Sequence, residues 1–351
     1  MHSAFWKNKT VFLTGHTGFK GGWIAHWLTE LGAQVHGYAL APPTEPNFFT
    51  ETNVQERIAS SVKGDIRDLE ALTSAIKLAK PDILIHMAAQ PLVRESYNTP
   101  VETFAANVIG TVSVLEAARQ AGTIKAIVNV TTDKCYENRE WLWSYRENDH
   151  LGGHDPYSAS KACAEIAATA YRKSFLAEAG IHLASVRAGN VIGGGDWATD
   201  RLIPDFLRAI DHGETLTIRS PSAIRPWQHV LEPLSGYLLL AERLYEEGEA
   251  FAEAWNFGPN DEDAKPVSWI VERLCAQMPG SKWQIQNARQ PHEAGLLKLD
   301  SSKAKTKLGW APRWNLETAL IKVVEWHRAT RDGLDMVEVT RSQISSYQIL
   351  T

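Results

Sequence analysis

Short apolar runs alternate with amphipathic stretches through the first half of the chain. Five runs keep their apolar residues together, as strands buried on both faces do: TVFLT (10–14), AQVHGYAL (33–40), DILIHMAA (82–89), KAIVNVTT (125–132) and HLASVRAG (182–189). Between two of them, Leu69, Leu72 and Ile76 recur at helical spacing, with Asp68 as N-cap and Pro81 as the stop. Strands that alternate with helices predict an α/β fold with a doubly wound parallel sheet.

The pattern loosens after about residue 190. Helices are predicted near 203–212, 231–247, 267–278 and 316–330. We interpret residues 1–189 as the first domain and 190–351 mainly as a smaller C-terminal lobe that binds substrate at the open end of the sheet. Because QHVLEPLSGYLLLAERL predicts a helix that returns to the first domain near 228–258, we expect the two parts to be interleaved.

The composition and charge of the chain give no sign of a protein that binds nucleic acid, membranes or metals. The chain has 351 residues, 44% of them hydrophobic, and 36 basic against 41 acidic residues. No basic run marks a nucleic-acid or membrane surface. We see neither a signal peptide nor an apolar run of about 18 residues, so we expect a cytoplasmic protein. The three cysteines and twelve histidines show no ligand spacing, so no metal site is predicted.

Three glycines follow the first predicted strand at GxxGxxG spacing, at the start of a predicted helix. Gly15, Gly18 and Gly21 permit a tight turn and let the backbone approach a diphosphate, which the helix N-terminus then binds. A flexible glycine turn is the alternative, but the strand–loop–helix order favours a dinucleotide site of the Rossmann type. His16 and Phe19 lie within this loop and are assigned to the cofactor.

The second strand ends without an acidic residue for a ribose hydroxyl and without an arginine for a 2′-phosphate, so NAD is favoured over NADP. Asp65, next to Ile66, ends the following strand and is assigned to the adenine amino group, although an N-cap role is equally open. Ala88 and Ala89 follow a later strand and leave room for the nicotinamide. His86 before them is interpreted as structural.

Tyr157 and Lys161 lie four residues apart on a predicted helix, hence on one face. Such a pair is common on surfaces, but after a dinucleotide loop it favours catalysis. The ordinary pKa of tyrosine is near 10, and a neighbouring ammonium and a nicotinamide cation would both favour the phenolate. Tyr157 would then take a proton from a hydroxyl while hydride leaves the same carbon.

The stretch TTDKCYENREW begins at the end of an apolar strand with a hydroxyl, a carboxylate and an ammonium: Thr132, Asp133 and Lys134. A solvated ion pair at a strand exit is the simplest reading. At the carboxyl end of a central strand facing a cofactor, catalytic groups are favoured instead.

Together these motifs, with Thr131 and with Asn107 in FAANVIGT, resemble the extended short-chain dehydrogenase/reductase superfamily in its nucleotide-sugar branch. The resemblance covers nearly the whole chain. Further stretches, such as HTGFKGGW and RPWQHVLEPLSGYL, are similar to 4,6-dehydratases of nucleotide sugars. Such enzymes oxidise C4, eliminate water across C5 and C6 and return the hydride to C6, in deoxysugar biosynthesis such as that of lipopolysaccharide O-antigens.

The resemblance implies that Thr132 bonds the C4 oxygen and Asp133 is the acid, provided burial keeps it protonated. Relatives carry a glutamate base where Lys134 stands, so Lys134 is either the C5 base or a stabiliser of the enolate. The substrate residues implied are Gln90, Asn190, Arg201, Arg219, Arg225, Arg289 and His292. A homodimer or homotetramer is expected. Alternatives are a dehydratase or 4-epimerase for another nucleotide sugar, and a non-catalytic NAD-binding regulator.

Overall fold

Seven parallel strands form the central sheet of the computed structural model, which describes residues 3–286 and 294–349. The strands of the described part are β1 (Thr10–Thr14), β2 (Gln34–Ala39), β3 (Ser60–Lys63), β4 (Ile83–His86), β5 (Ala126–Val130), β6 (His182–Ala188), β7 (Asn190–Ile192), β8 (Thr215–Ile218), β9 (Ile224–His229), β10 (Ala254–Phe257), β11 (Ala264–Pro266) and β12 (Lys282–Ile285). The central order is β10-β6-β5-β4-β1-β2-β3. The predicted doubly wound sheet is confirmed, and all five predicted strands belong to it.

Helices cover both faces of this sheet, and others pack within the second half of the chain. They are α1 (Ser3–Trp6), α2 (Phe19–Glu30), α3 (Phe48–Glu51), α4 (Val54–Arg57), α5 (Leu69–Ala79), α6 (Val93–Asn98), α7 (Pro100–Phe104), α8 (Gly110–Ala121), α9 (Pro156–Tyr171), α10 (Leu202–Asp211), α11 (Leu231–Glu247), α12 (Val267–Gln277), α13 (Leu316–Arg331) and α14 (Met336–Ile349). The four helices predicted in the second half are present. Asp68 caps α5 by accepting a hydrogen bond from the backbone N–H of Ala71 at 3.0 Å, as predicted.

Alternate residues of the central strands enter two separate cores. Val11 and Leu13 of β1 pack in the cluster that contains α2 and α11, whereas Phe12 packs on the opposite face with α5 and α8. A continuous apolar run is therefore what this sheet requires, because both faces are covered.

The second half of the chain builds a lobe over the carboxyl ends of the strands. In the lobe β9 pairs with β7 and β11, while β8 pairs with β12. A third core joins α10, α12 and α13. One part of this half returns: α11 packs beneath the central sheet and leads into β10, which pairs in parallel with β6.

One helical stretch of the described residues, Pro100–Ala121, is long and apolar enough to cross a membrane by length and composition. Half of its apolar window is buried inside the protein. It consists of α7, a π-helical segment (Ala105–Ile109) and α8. Core helices pass the same test, so this stretch carries no membrane assignment.

Candidate active site

Neither Gly15, in the loop between β1 and α2, nor Gly21, in the first turn of α2, has room for a side chain. A Cβ on Gly21 would lie 2.0 Å from the carbonyl oxygen of Gly15. Gly15 has φ +80°, and a Cβ there would lie 2.7 Å from the amide nitrogen of Ala88. Gly18 is the N-cap of α2 and offers no capping side chain, so the first amides of the helix are available to a ligand. This geometry fits a dinucleotide diphosphate, as the spacing predicts.

His16 lies beside this loop and is fully buried. Its Nε2 is 2.7 Å from the hydroxyl of Ser61, and its Nδ1 has no hydrogen-bond partner in the described residues. Burial lowers the pKa of His16 to about 4, so the imidazole is neutral at physiological pH.

Asp65 lies just beyond β3, at the edge where an adenine would project. It forms an ion pair with Arg67 at 2.7 Å, and hydrogen bonding to Arg67 lowers the pKa of the Asp65 carboxyl. Asp65 also accepts the backbone N–H of Arg67 at 2.9 Å, while Asp68 caps α5. Ile66 is buried against Gly110, where a Cβ would lie 2.5 Å from its Cδ1. The adenine role of Asp65 stays a prediction.

The loop after β4 is fixed by one side-chain amide. Asn107 accepts a hydrogen bond from the backbone N–H of Gln90 at 2.9 Å and donates to its carbonyl at 3.1 Å. It also donates to the hydroxyl of Ser160 at 2.9 Å, which ties the loop to α9. The side chain of Gln90 bonds Thr103 and Leu92 within the same structure. Gln90 thus has a structural role here, and its substrate role stays a prediction.

Ala88 and Ala89 follow β4 in this loop, with Ala88 directly against Gly15. His86 at the end of β4 is buried, within 2.7 Å of the hydroxyl of Thr14 and 3.1 Å of that of Thr111. Burial lowers the pKa of His86 to about 3. These contacts agree with a structural histidine that holds the strand end.

The predicted catalytic residues Thr132, Asp133 and Lys134 lie at one 3₁₀ turn after β5, where Thr132 and Lys134 line a cavity and Asp133 does not. Asp133 is fully buried, and its Oδ1 accepts hydrogen bonds from Thr132 at 3.1 Å and Lys134 at 3.2 Å. Its Oδ2 has no partner in the described residues. Lys134 also donates to Oδ1 of Asn190 at 3.4 Å. The pair is therefore not a solvated one, and it links β5 to the first strand of the lobe.

Tyr157 lies in the first turn of α9 and faces the same cavity. Burial raises the pKa of its phenol to about 12, and a hydrogen bond with Thr132 opposes that shift. Burial lowers the pKa of Lys161 to about 8, opposed by the charge of Glu165. Lys161 donates to the carbonyl of Val130 at 3.3 Å. Burial therefore keeps the phenol of Tyr157 neutral at physiological pH in the free protein.

A buried ion pair that the sequence analysis missed supports the end of β5. Arg187 and Glu165 form two hydrogen bonds, at 2.8 and 3.0 Å. Glu165 also accepts the hydroxyl of Thr131, which fixes the residue before the triplet. Burial would raise the pKa of Glu165, but Arg187 holds it below its ordinary value. No sequence signal identifies this pair, because the two residues lie on different elements 22 positions apart.

A cavity of about 600 Å³ connects these groups with the lobe, a size typical of small-molecule sites. The cavity is lined by Phe19, Thr132, Tyr157 and Asn190 and by three arginines, Arg201, Arg219 and Arg225. Arg201 pairs with Asp196 and Arg219 with Asp200, both at 2.8 Å. Arg289 and His292 lie outside the described residues. Within residues 3–286 and 294–349 no cluster of histidine, cysteine and carboxylate side chains could hold a metal.

Comparison with known proteins gives three results. A sequence profile for the family described as GDP-mannose 4,6 dehydratase matches residues 12–323. A CDP-glucose 4,6-dehydratase of Salmonella typhimurium is 55% identical, covering 99% of this chain and 98% of its own length. The solved dTDP-glucose 4,6-dehydratase of Bacillus anthracis, in complex with NAD, is 22% identical with a TM-score of 0.76, covering 93% of this chain and 99% of its own.

Proposed function

We propose, since the chain belongs to the GDP-mannose 4,6 dehydratase family, that it is a lyase that converts CDP-glucose to CDP-4-dehydro-6-deoxyglucose and water. The observation that carries this proposal is the 55% identity to the Salmonella enzyme over nearly the full length of both chains. The buried groups at the end of β5 supply an acid that simple 4-epimerisation does not require. The nucleobase rests on the relative rather than on described contacts.

The cofactor is NAD, which when bound takes a hydride from C4 of the sugar and returns it to C6. The glycine loop would hold its diphosphate on the amides of α2, and Asp65 its adenine. The loop held by Asn107 would border its nicotinamide, with Ala88 and Ala89 leaving space.

Tyr157 is the group that accepts the proton of the C4 hydroxyl. Its phenol is neutral in the free protein, so Tyr157 must first lose its own proton to solvent; the positive charges of Lys161 and of a bound cofactor would favour the resulting phenolate, which then accepts the C4 proton. Thr132, which bonds Tyr157, also orients the C4 oxygen. Oxidation at C4 makes the C5 proton acidic, because the resulting carbanion is shared with the new carbonyl.

Asp133 serves the elimination through its unpaired Oδ2. An ammonium that donates to Oδ1 of Asp133 at 3.2 Å is poorly placed to accept a proton, so we assign Lys134 to stabilise the enolate rather than to act as base. Oδ2 then takes the C5 proton and delivers it to the departing C6 hydroxyl, which leaves as water. One carboxylate thus moves one proton during the elimination. When the hydride returns to C6, C5 takes one proton from solvent, which balances the proton that Tyr157 removed from the C4 hydroxyl.

Product formation from CDP-glucose tests this function. The protein with NAD and CDP-glucose, without added reductant, should give the alkali-induced absorbance of a 4-keto sugar. If the product formed only from dTDP- or GDP-linked glucose, the substrate would carry a nucleobase other than cytosine. Conversion of CDP-glucose to CDP-galactose would identify a 4-epimerase. No turnover of any nucleotide sugar would favour the regulator.

We propose further that two copies pair through the exposed face of the helix 100–121 and α9. Val101, Ile109 and Ile166 are 77%, 56% and 59% exposed on these helices, and exposed apolar side chains that lie together mark interaction surfaces. Light scattering should give at least a dimer, and Ile166→Glu should yield the monomer if the face is the interface.

We assign the protein to the cytoplasm and to deoxysugar biosynthesis.

A further inference from the structure

Asp200 joins the two halves of the chain at the wall of the cavity. It lies in the loop before α10, and its Oδ1 is 2.8 Å from Nη1 of Arg219, which follows β8 in the lobe. The same oxygen is 3.8 Å from Nη1 of Arg94, the second residue of α6 in the first domain. All three residues line the cavity. Two guanidinium groups from different parts of the chain thus converge on one anionic oxygen.

Two further aspartates line the cavity and are held differently. Asp196 pairs with Arg201 at 2.8 Å, and its side chain is only 7% exposed. Asp205 pairs with Arg208 at 2.7 Å within α10. The side chain of Asp200 is 45% exposed, and both of its ion-pair partners lie on other elements. An exposed ion pair of this kind contributes little to stability, so a stronger anion can displace Asp200.

A phosphate matches this pair of cations better than the carboxylate does. Asp200 presents one oxygen to both guanidinium groups, and its distance from Arg94 is longer than a hydrogen bond. A phosphate has several anionic oxygens and can accept parallel hydrogen bonds from each guanidinium group. The substrate of the proposed function carries a diphosphate, so separate oxygens are available to Arg94 and to Arg219.

We propose that Arg94 is a further substrate-binding residue, and that in the free protein the carboxylate of Asp200 occupies the place of the substrate's diphosphate between Arg94 and Arg219. Binding of the nucleotide sugar displaces this carboxylate, and the diphosphate then pairs with the two guanidinium groups. Asp200 therefore competes with the substrate and weakens its binding. The inference rests on the proposed function, because it requires a diphosphate in the substrate.

The backbone of Asp200 determines which variant tests this competition. Its φ of +61° lies in the left-handed region, which asparagine and aspartate adopt more readily than other residues with a side chain. Asp200→Asn therefore keeps the backbone preference and the side-chain volume and removes only the charge. Asp332→Asn makes the same charge change at an exposed position at the end of α13, outside the cavity, and is the matched control.

Calorimetric titration with CDP measures the competition directly. Asp200→Asn should bind CDP about 3- to 10-fold more tightly than the unmodified protein, because the competing carboxylate is lost. Arg94→Gln should bind CDP about tenfold less tightly, through the loss of one charge-assisted contact. Cytidine carries no phosphate, so its affinity should be the same in both variants and in the unmodified protein. Asp332→Asn should bind CDP as the unmodified protein does.

The sign of the Asp200→Asn effect separates competition from a structural role. If Asp200 only tied the lobe to α6, its loss would weaken CDP binding or leave it unchanged, and either result would overturn the inference. Unchanged CDP affinity in Arg94→Gln would overturn the assignment of Arg94. Tighter binding of cytidine by Asp200→Asn would contradict a phosphate subsite. Turnover of CDP-glucose by the unmodified protein tests the proposed function separately, so the two failures are distinguishable.

Discussion

The predicted cofactor side and the predicted substrate side of the active site differ in the groups that would bind the ligand. The cofactor side consists of backbone: the glycine loop before α2, and the loop after β4 that Asn107 holds. The substrate side consists of long charged side chains, Arg201 and Arg219, each held by an aspartate of the lobe. A backbone site loses function through a steric change, whereas a side-chain site loses it through a change in charge.

Tyr157 is assigned to proton transfer rather than to binding, so its substitution should leave both cofactor binding and substrate binding unchanged. Tyr157→Phe removes one hydroxyl and should lower kcat for CDP-glucose about 10³-fold or more, because proton transfer from C4 is lost. Binding of NAD and of CDP, measured by titration, should change little. Full turnover in this variant would show that another group accepts the C4 proton.

NAD binding at the cofactor side should be lost when side-chain volume is added, without any change in charge. Gly21→Ala places a methyl group 2.0 Å from the carbonyl oxygen of Gly15, so the loop must move. We expect NAD affinity to fall about 100-fold or more, by titration calorimetry, since a displacement of this size misaligns several amides at once. Gly122→Ala is the control: at φ +73° an alanine is strained and should cost about 1 kcal/mol of stability, but its Cβ meets nothing within 4 Å, so NAD affinity should not change. Equal NAD affinity of Gly21→Ala and the unmodified protein would contradict the backbone site.

Substrate binding at the substrate side should weaken when a positive charge is removed, even if the side-chain volume is kept. Arg219→Gln keeps most of the volume and removes the guanidinium charge, and should raise KM for CDP-glucose about tenfold. NAD affinity should stay within about twofold, because Arg219 is paired with Asp200 away from the glycine loop. Arg273→Gln, an exposed change on α12, serves as control. A loss of NAD affinity instead of substrate affinity would erase the distinction between the sides.

The free energy of unfolding at low pH should depend on His86, which is buried at the end of β4 on the cofactor side. Because burial lowers the pKa of His86 to about 3, the unfolded chain binds a proton below pH 6.5 that the folded protein excludes. This group's contribution to the free energy of unfolding therefore decreases as pH falls from 6.5 toward 3, by about 2 kcal/mol between pH 7.5 and 5. The free energy of unfolding, measured with urea at several pH values, should depend less on pH in His86→Asn than in the unmodified protein.

The same contrast explains what sequence reasoning could predict. The glycine loop, the five strands and Tyr157 were predictable because each depends on residues close in the chain. The network of Arg187 and Glu165 was not, since it joins β6 to α9. The opposite pKa shifts of Tyr157 and Lys161 arise from burial, which spacing does not reveal.

The pairing of Lys134 with Asp133 also required tertiary structure. Adjacent residues in a strand point to opposite faces, and only the 3₁₀ turn after β5 brings Lys134 to Oδ1 of Asp133. That contact changes the assignment of Lys134 from a possible base to a stabiliser of the enolate.

The central claim is that one enzyme molecule oxidises C4 and reduces C6 of the same sugar. CDP-glucose carrying deuterium at C4 tests it most directly, with the product analysed by NMR. The proposed function predicts deuterium in the C6 methyl group and none at C4, with one solvent hydrogen at C5. Deuterium retained at C4, or lost to solvent, would contradict it.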